Sequence, residues 1–154
     1  EGELDIDDTE EAVRLIEGSR EITFVGDNAG EIYFDLPLLR LLLVAGKDVV
    51  YVARKGPMIN DATVEDVEAL GLEGLKVLGH PTFGLAWEKS PRWLRERLLR
   101  GLVISKGQAG YVTMTEFWPP RVIYILKVKC ECIRRDLGVR PGAGVVKVEV
   151  RRRE

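Results

Sequence analysis

A chain of 154 residues, 45% of them apolar, can bury one core and is too short for several, and it is too apolar to be a disordered segment. Its 23 basic and 25 acidic side chains leave a net charge of −2, which argues against a nucleic-acid protein held by bulk charge. No apolar run approaches the roughly 20 residues that cross a bilayer, and Arg40 interrupts the greasiest stretch, LPLLRLLLVAG, so no membrane partner is expected.

In chain order, DIDDTEEAVRLIEG (5–18) reads as a helix capped by Asp8 or Thr9 and ended by Gly18. EITFVG (21–26) is a short buried strand. AGEIYFDLPLLRLLLVAG (29–46) has helical spacing up to Gly46, and Pro37 inside it predicts a kink or a late start. KDVVYVAR (47–54) is a second strand, KGPMIND (55–61) a loop, and ATVEDVEALG (62–71) a helix that Asp61 can cap. LKVLG (75–79) is a third strand, followed by the loop HPTFGLAWEKS (80–90). SPRWLRERLLRG (90–101) is a helix with Ser90 as cap and Pro91 at its first position. LVIS (102–105) is a fourth strand, KGQAGYVTMTEFWPP (106–120) a loop with at most one helical turn, and RVIYILKV (121–128) a fifth strand. CECIRRDLG (130–138) is a short helix and GVVKVEVRR (144–152) a last strand.

Strands that alternate with helices and are almost wholly apolar predict an α/β fold, a mostly parallel sheet with helices on both faces. Ligands of such sheets bind beyond the carboxyl ends of the strands. The unusual polar residues fall there: Asp27, Asn28 and Gly30 after the first strand, Lys55, Asn60 and Asp61 after the second, His80 and Thr82 after the third, Ser105, Lys106, Gly107 and Gln108 after the fourth, Lys127 and Lys129 at the fifth. Asp27, Asn28 and Asp61 offer a hard divalent cation two carboxylates and an amide oxygen. Gly26 and Gly30 permit a tight turn and close backbone approach, and Lys106 on its glycine-flanked loop is suited to neutralise a phosphate. The set fits metal-assisted phosphoryl transfer to water. Each part also has a plainer reading: Asp27, Asn28 and Asp61 as helix caps, Lys106–Gly107 as a turn, His80 as a loop residue, Cys130 as a small core residue with Cys132 no more informative, and Trp87, Trp93 and Trp118 as core or interface anchors.

DNAGEIYFD, INDAT and ISKGQ, in that order, resemble the DUF89 family of metal-dependent damage-control phosphatases, and LKVKCECIRRDLGVRPGAGVV resembles the end of its shorter archaeal members. The resemblance runs from about residue 20 to 150. It implies a Rossmann-like three-layer sandwich that hydrolyses phosphate monoesters of small metabolites, such as sugar phosphates or damaged phospho-metabolites. It implies a divalent cation (manganese, cobalt, nickel or magnesium) on Asp27, Asn28 and Asp61. Lys106, with Gly107 and Gln108 behind it and Gly30 opposite, is then on the phosphate side, and Glu31 is placed to orient the attacking water. Asp27 is a candidate base or nucleophile as well, and Asp35 is a solvated, capping or functional acid. Two positions depart from the family pattern: Gly110 stands where Asn is expected and Val112 where Glu is, so both missing polar groups are expected near the site. Family members carry a helical domain before this segment, so the single domain of residues 1–154 is expected to be a fragment.

Two other readings compete. One is a nucleotide- or S-adenosylmethionine-binding methyltransferase domain, though no x-G-x-G-x-x-G turn follows the first strand; the other is a non-catalytic metal-binding module. The closely spaced Cys130 and Cys132 suit neither an ordinary disulfide nor a structural zinc site, so a reduced, cytoplasmic compartment is expected. Abundant Glu, Arg and Lys with one His lean towards a thermophilic source. The expected partner is a small phosphorylated metabolite, and the oligomeric state is left open.

Overall fold

Leu4–Asp7 is a strand, β1, and not the first turn of a helix. Leu-Asp-Ile-Asp alternates with the period of a strand, and β1 pairs in parallel with the last strand of the chain, Leu4 opposite Gly144 and Asp7 opposite Val146. The computed structural model describes residues 4–82, 85–117 and 119–151. Helix α1 (Thr9–Glu17) follows. Asp7 accepts from the Thr9 N–H at 3.2 Å, while Asp8 turns to the last strand and accepts the Val148 N–H at 2.8 Å.

The remaining elements are β2 (Glu21–Val25), α2 (Ile32–Val44), β3 (Asp48–Arg54), α3 (Val64–Glu68), β4 (Lys76–His80), α4 (Arg92–Arg100), β5 (Leu102–Lys106), α5 (Gly107–Phe117), β6 (Arg121–Lys127), α6 (Glu131–Leu137) and β7 (Gly144–Val150). They form one sheet in the order β1-β7-β6-β5-β2-β3-β4. Neighbours from β4 across to β6 are parallel, β7 runs antiparallel to β6, and β1 follows β7. Side chains alternate between two buried cores. Ile22, Phe24, Tyr51 and Ile104 pack with Leu39 and Leu42 of α2 and Val67 of α3. Val25, Val52, Val103 and Tyr124 pack with Leu94 of α4, Met114 of α5 and Ile133 of α6. The expected three-layer α/β sandwich is what the chain forms.

One helix takes an alternative the sequence reading allowed, and two helix caps differ from it, each for a local reason. The α2 helix takes the late start, at Ile32, and carries Pro37 inside. Thr63, not Asp61, caps α3: its Oγ1 accepts the Asp66 N–H while the Asp66 carboxylate accepts the Thr63 N–H. Ser90 does not cap α4; its hydroxyl donates to Ala86 O at 2.8 Å, and Pro91 takes the cap position. The largest difference is α5, expected to be a loop. Its glycines and β-branched residues are poor helix formers, but Tyr111 and Met114 are buried beneath it, and that burial supplies what propensity lacks.

From β2 the chain steps outward to β3 and β4, then returns to β5 on the other side of β2 and moves on to β6. The carboxyl ends of β2 and β5 therefore flank the point where the winding reverses, the crevice of an open α/β sheet. At the opposite edge Arg97 of α4, with 6% of its side chain exposed, holds the starts of β2 and β3 together. It reaches the Asp48 carboxylate at 2.9 Å, Ile22 O at 3.1 Å and Asp48 O. Among the described residues no helix is long and apolar enough to cross a membrane.

Candidate active site

Beyond β2 the chain is zipped to the loop that follows β3. Gly26 N–H donates to Val52 O, Ala62 N–H to Asp27 O at 2.8 Å and Ala29 N–H to Asn60 O at 2.8 Å. Asn28 and Asp61 thus lie opposite one another as an antiparallel backbone pair. The crevice is tight on both sides. A side chain at Gly26 would run into the Tyr51 hydroxyl, and one at Gly107, whose φ of +74° already favours glycine, would overlap the Asp27 carboxylate. The tip of β5 is therefore seated against the acid that ends β2.

The side chains form one connected set. Asn28 Nδ2 donates to Glu31 Oε1 at 3.0 Å, which leaves the amide oxygen as the group available to a ligand. Asp61 Oδ2 accepts from Arg54 Nε at 2.6 Å, both side chains nearly buried, and Arg54 also donates to Thr82 O. Lys106 Nζ lies 2.8 Å from Asp35 Oδ1 and 3.5 Å from Glu31 Oε2. Four carboxylates (Asp27, Glu31, Asp35, Asp61) thus face two cations (Arg54, Lys106), a deficit that one divalent cation would balance. Asp27 records the imbalance. Burial first, then the charges of Glu31 and Asp61, push its carboxyl up to about 6 against the pull of Arg54 and Lys106. Among the described residues no three His, Cys, Asp or Glu side chains group as a metal site. Asp27, Asn28 and Asp61 present two carboxylates and an amide, all oxygen, a chemistry that suits magnesium-like ions better than soft ones.

An acid whose folded value lies above its unfolded one opposes folding once ionised. That penalty is present above about pH 6 and is relieved as pH falls through 6 towards 4. Asp27→Asn is therefore expected to melt higher than wild type at pH 8 in chelator, by about 1–2 kcal/mol after discounting for solvent screening of a half-buried group. The two melting curves should converge near pH 4; equal melting at pH 8 would count against a charge-frustrated Asp27.

The profile of the family described as "Damage-control phosphatase ARMT1-like domain" matches residues 1–145. The chain belongs to this family. It is similar to a damage-control phosphatase of Pyrococcus horikoshii, 37% identical over 145 residues that make up 91% of this chain and 50% of that protein. A damage-control phosphatase of Archaeoglobus fulgidus is 32% identical over 150 residues, 94% of this chain and 51% of its own length. An uncharacterized protein of Methanocaldococcus jannaschii is 33% identical over 154 residues, again 94% and 51%. The crystal structure of a DUF89 family protein from Pyrococcus horikoshii superposes with a TM-score of 0.86 at 34% identity, covering 95% of this chain and 53% of that one. The chain spans about half the length of the curated relatives it matches.

Within this damage-control phosphatase domain the other expected residues divide. At Gly30 nothing among the described residues stands within 4 Å of where a side chain would begin. The Oε1 of Gln108 accepts the N–H groups of Lys129 and Cys130, both at 2.8 Å, and so ties the start of α5 to the loop before α6. Gly110 is buried where a Cβ would meet the Ser105 hydroxyl, and Val112, 46% exposed, lines a groove beside Ile133 and Lys147. The two departures from the family pattern are thus carried on helix α5 and not on an open loop.

His80 is not a loop residue. It ends β4 fully buried, with Nδ1 3.0 Å from Thr82 Oγ1 and Nε2 3.4 Å from Ser90 Oγ, and burial lowers its pKa. Cys130 is exposed, against the expectation of a core cysteine, and so is Cys132. Trp87 packs on Phe117 with ring centroids 5.0 Å apart, Trp93 is 47% exposed, and Trp118 lies outside the described residues. Two residues that sequence reasoning passed over belong to the site, Arg54 on Asp61 and Tyr51 beneath Gly26. The one signal for Arg54 was an arginine closing an otherwise apolar strand.

Proposed function

We propose that this domain hydrolyses phosphate monoesters of small metabolites with the aid of a divalent cation held by Asp27, Asn28 and Asp61. The observation that carries the reading is the backbone pairing of Asn28 with Asp61 at the winding reversal, beside Lys106, in a member of the damage-control phosphatase family. The activity of the matched relatives is that of proteins about twice as long, so for this chain it is part of the proposal.

A divalent cation bound there supplies a Lewis acid for a phosphate oxygen and acidifies water near neutral pH; manganese, cobalt, nickel and magnesium all accept such oxygen ligands. The chain's own residues do the rest. Arg54 fixes Asp61 through a short charge-assisted bond and leaves its other oxygen for the ligand. Glu31 holds the Asn28 amide nitrogen and so turns the amide oxygen outward. With 43% of its side chain exposed, Glu31 is also the acceptor that can orient a water. Lys106, with 14% of its side chain exposed, is the cation that meets the phosphate charge. In the net reaction a water oxygen bonds to phosphorus, the ester P–O bond breaks, and the alcohol leaves with one of the water protons.

The test is phosphate release from p-nitrophenyl phosphate and from sugar phosphates, with each of the four cations and with chelator, for wild type and Asp27→Ala. Cation-dependent release reduced at least about 100-fold in Asp27→Ala is expected. Release that survives chelator and the substitution would remove the reading. Cation binding lost in Asp27→Ala, without turnover in either protein, would leave a binding module.

A further inference from the structure

We propose that Asp35 is the residue that positions Lys106, with Tyr51 behind it; the consequence for catalysis rests on the phosphatase reading above. Glu31 and Asp35 are four residues apart at the start of α2, on one helix face, and both reach Lys106. They are unequal. Asp35, with 7% of its side chain exposed, holds Nζ at 2.8 Å; Glu31, with 43% exposed, stands at 3.5 Å and already accepts from Asn28. A carboxylate buried that deeply is disfavoured by desolvation and persists only where a specific charge needs it. Lys106 is the charge that opposes the burial of Asp35.

The second oxygen of Asp35 identifies the rest of the device. Asp35 Oδ2 is fully buried and has no hydrogen-bond partner among the described residues, and the same holds for the Tyr51 hydroxyl. Tyr51 stands on β3 below Gly26, on the face that packs against α2, and after burial the Asp35 charge is the strongest influence on its hydroxyl. A buried donor without an acceptor and a buried acceptor without a donor, both between β3 and α2, are satisfied together by a shared water. Tyr51 O–H then fixes Asp35, and Asp35 fixes the Lys106 ammonium at the tip of β5. The two acids of α2 divide the work. Asp35 acts through Lys106 from below, and Glu31 stays accessible to the water and to Asn28.

The experiment reads Lys106 directly and without turnover. Metal-free wild type, Asp35→Asn, Asp35→Glu and Tyr51→Phe are acylated with acetic anhydride between pH 7 and 10, and Lys106 is followed by peptide mass mapping against exposed Lys55. In Asp35→Asn the rate for Lys106 relative to Lys55 should rise at least about fivefold at pH 8, because the amine has lost the carboxylate that holds it at 2.8 Å. Asp35→Glu should return most of the protection, and Tyr51→Phe should lose part of it. A wild-type rate in folded Asp35→Asn would overturn the proposal and give the lysine to Glu31. If Asp35→Asn does not fold, Asp35→Ser is read instead, and a wild-type rate for Lys106 there overturns the proposal equally. In phosphate release Asp35→Asn should lower kcat while the cation concentration needed for half activity stays unchanged; a shift in that concentration with kcat intact would contradict a role through Lys106. Absence of release from wild type overturns the phosphatase reading alone, and the acylation rates still decide what holds Lys106.

Discussion

Gly107→Ala should lose at least tenfold in divalent-cation affinity and about 1–2 kcal/mol in stability. The stability loss has a backbone cause. Gly107 sits at φ +74°, a left-handed conformation that costs an L-residue with a Cβ about 1 kcal/mol or more. The affinity loss has a steric one. The new methyl group would overlap the Asp27 carboxylate, and the backbone of Asp27 cannot retreat because its carbonyl is held by Ala62 N–H. The carboxylate must therefore rotate out of line with Asn28 and Asp61, and displaced ligands lose about 10- to 100-fold in affinity. Calorimetric titration with manganese and a thermal melt check the two parts separately. Wild-type affinity in folded Gly107→Ala would mean that Asp27 does not hold the cation.

Arg97→Ala should be the most destabilising single change at the edge opposite the site, about 3 kcal/mol. Arg97 is buried, and its guanidinium meets the Asp48 and Glu21 carboxylates and the carbonyls of Ile22 and Asp48. Removing it strands the carbonyls at the starts of two central strands. Lys76 and Arg100 still reach the two acids, which keeps the loss below the upper end for a buried pair. The Asp48 carboxyl is held low, first by its bond to Arg97. A depressed value stabilises the fold above the unfolded carboxyl range and ceases to do so as pH falls through the folded value. The gap between wild type and variant should accordingly narrow below about pH 4. Urea unfolding measures the loss. Cation affinity of the folded variant should match wild type, and a large drop would show that the two edges are coupled.

The central sheet was legible because β2, β3, β5 and β6 are runs of buried apolar residues, and because an alternation of such runs with helices admits few architectures. The site was legible for a related reason. Polar residues at the ends of apolar strands have little to do in packing, so Asp27, Asn28, Asp61 and Lys106 stood out where the fold class places ligands. What escaped were relations that only the tertiary fold creates. Four residues of alternating character do not separate a strand from the acidic first turn of a helix, and β1 exists because β7 lies beside it. Helix α5 forms against its own propensity because Tyr111 and Met114 find a core. Asp61 looked like a cap because nothing in the sequence says that Thr63 takes that task or that Arg54 claims the acid. Gln108 looked like part of a phosphate loop, and its carbonyl is spent on two backbone N–H groups more than 20 residues away.

The pairing of β1 with β7 has a consequence for the order in which the protein assembles during synthesis. Asp5 meets Arg140 across 135 residues of chain, and β1 pairs with β7 alone. Among the described strands the first to be made is therefore among the last to find its place. The sheet can grow outward from β2 through β3 and β4, then through β5 and β6, while Leu4 and Ile6 wait in solvent for Gly144 and Val145 to be made. Such a long loop closure is slow, and until it occurs the sheet presents the open edge of β7, the edge that β1 finally covers.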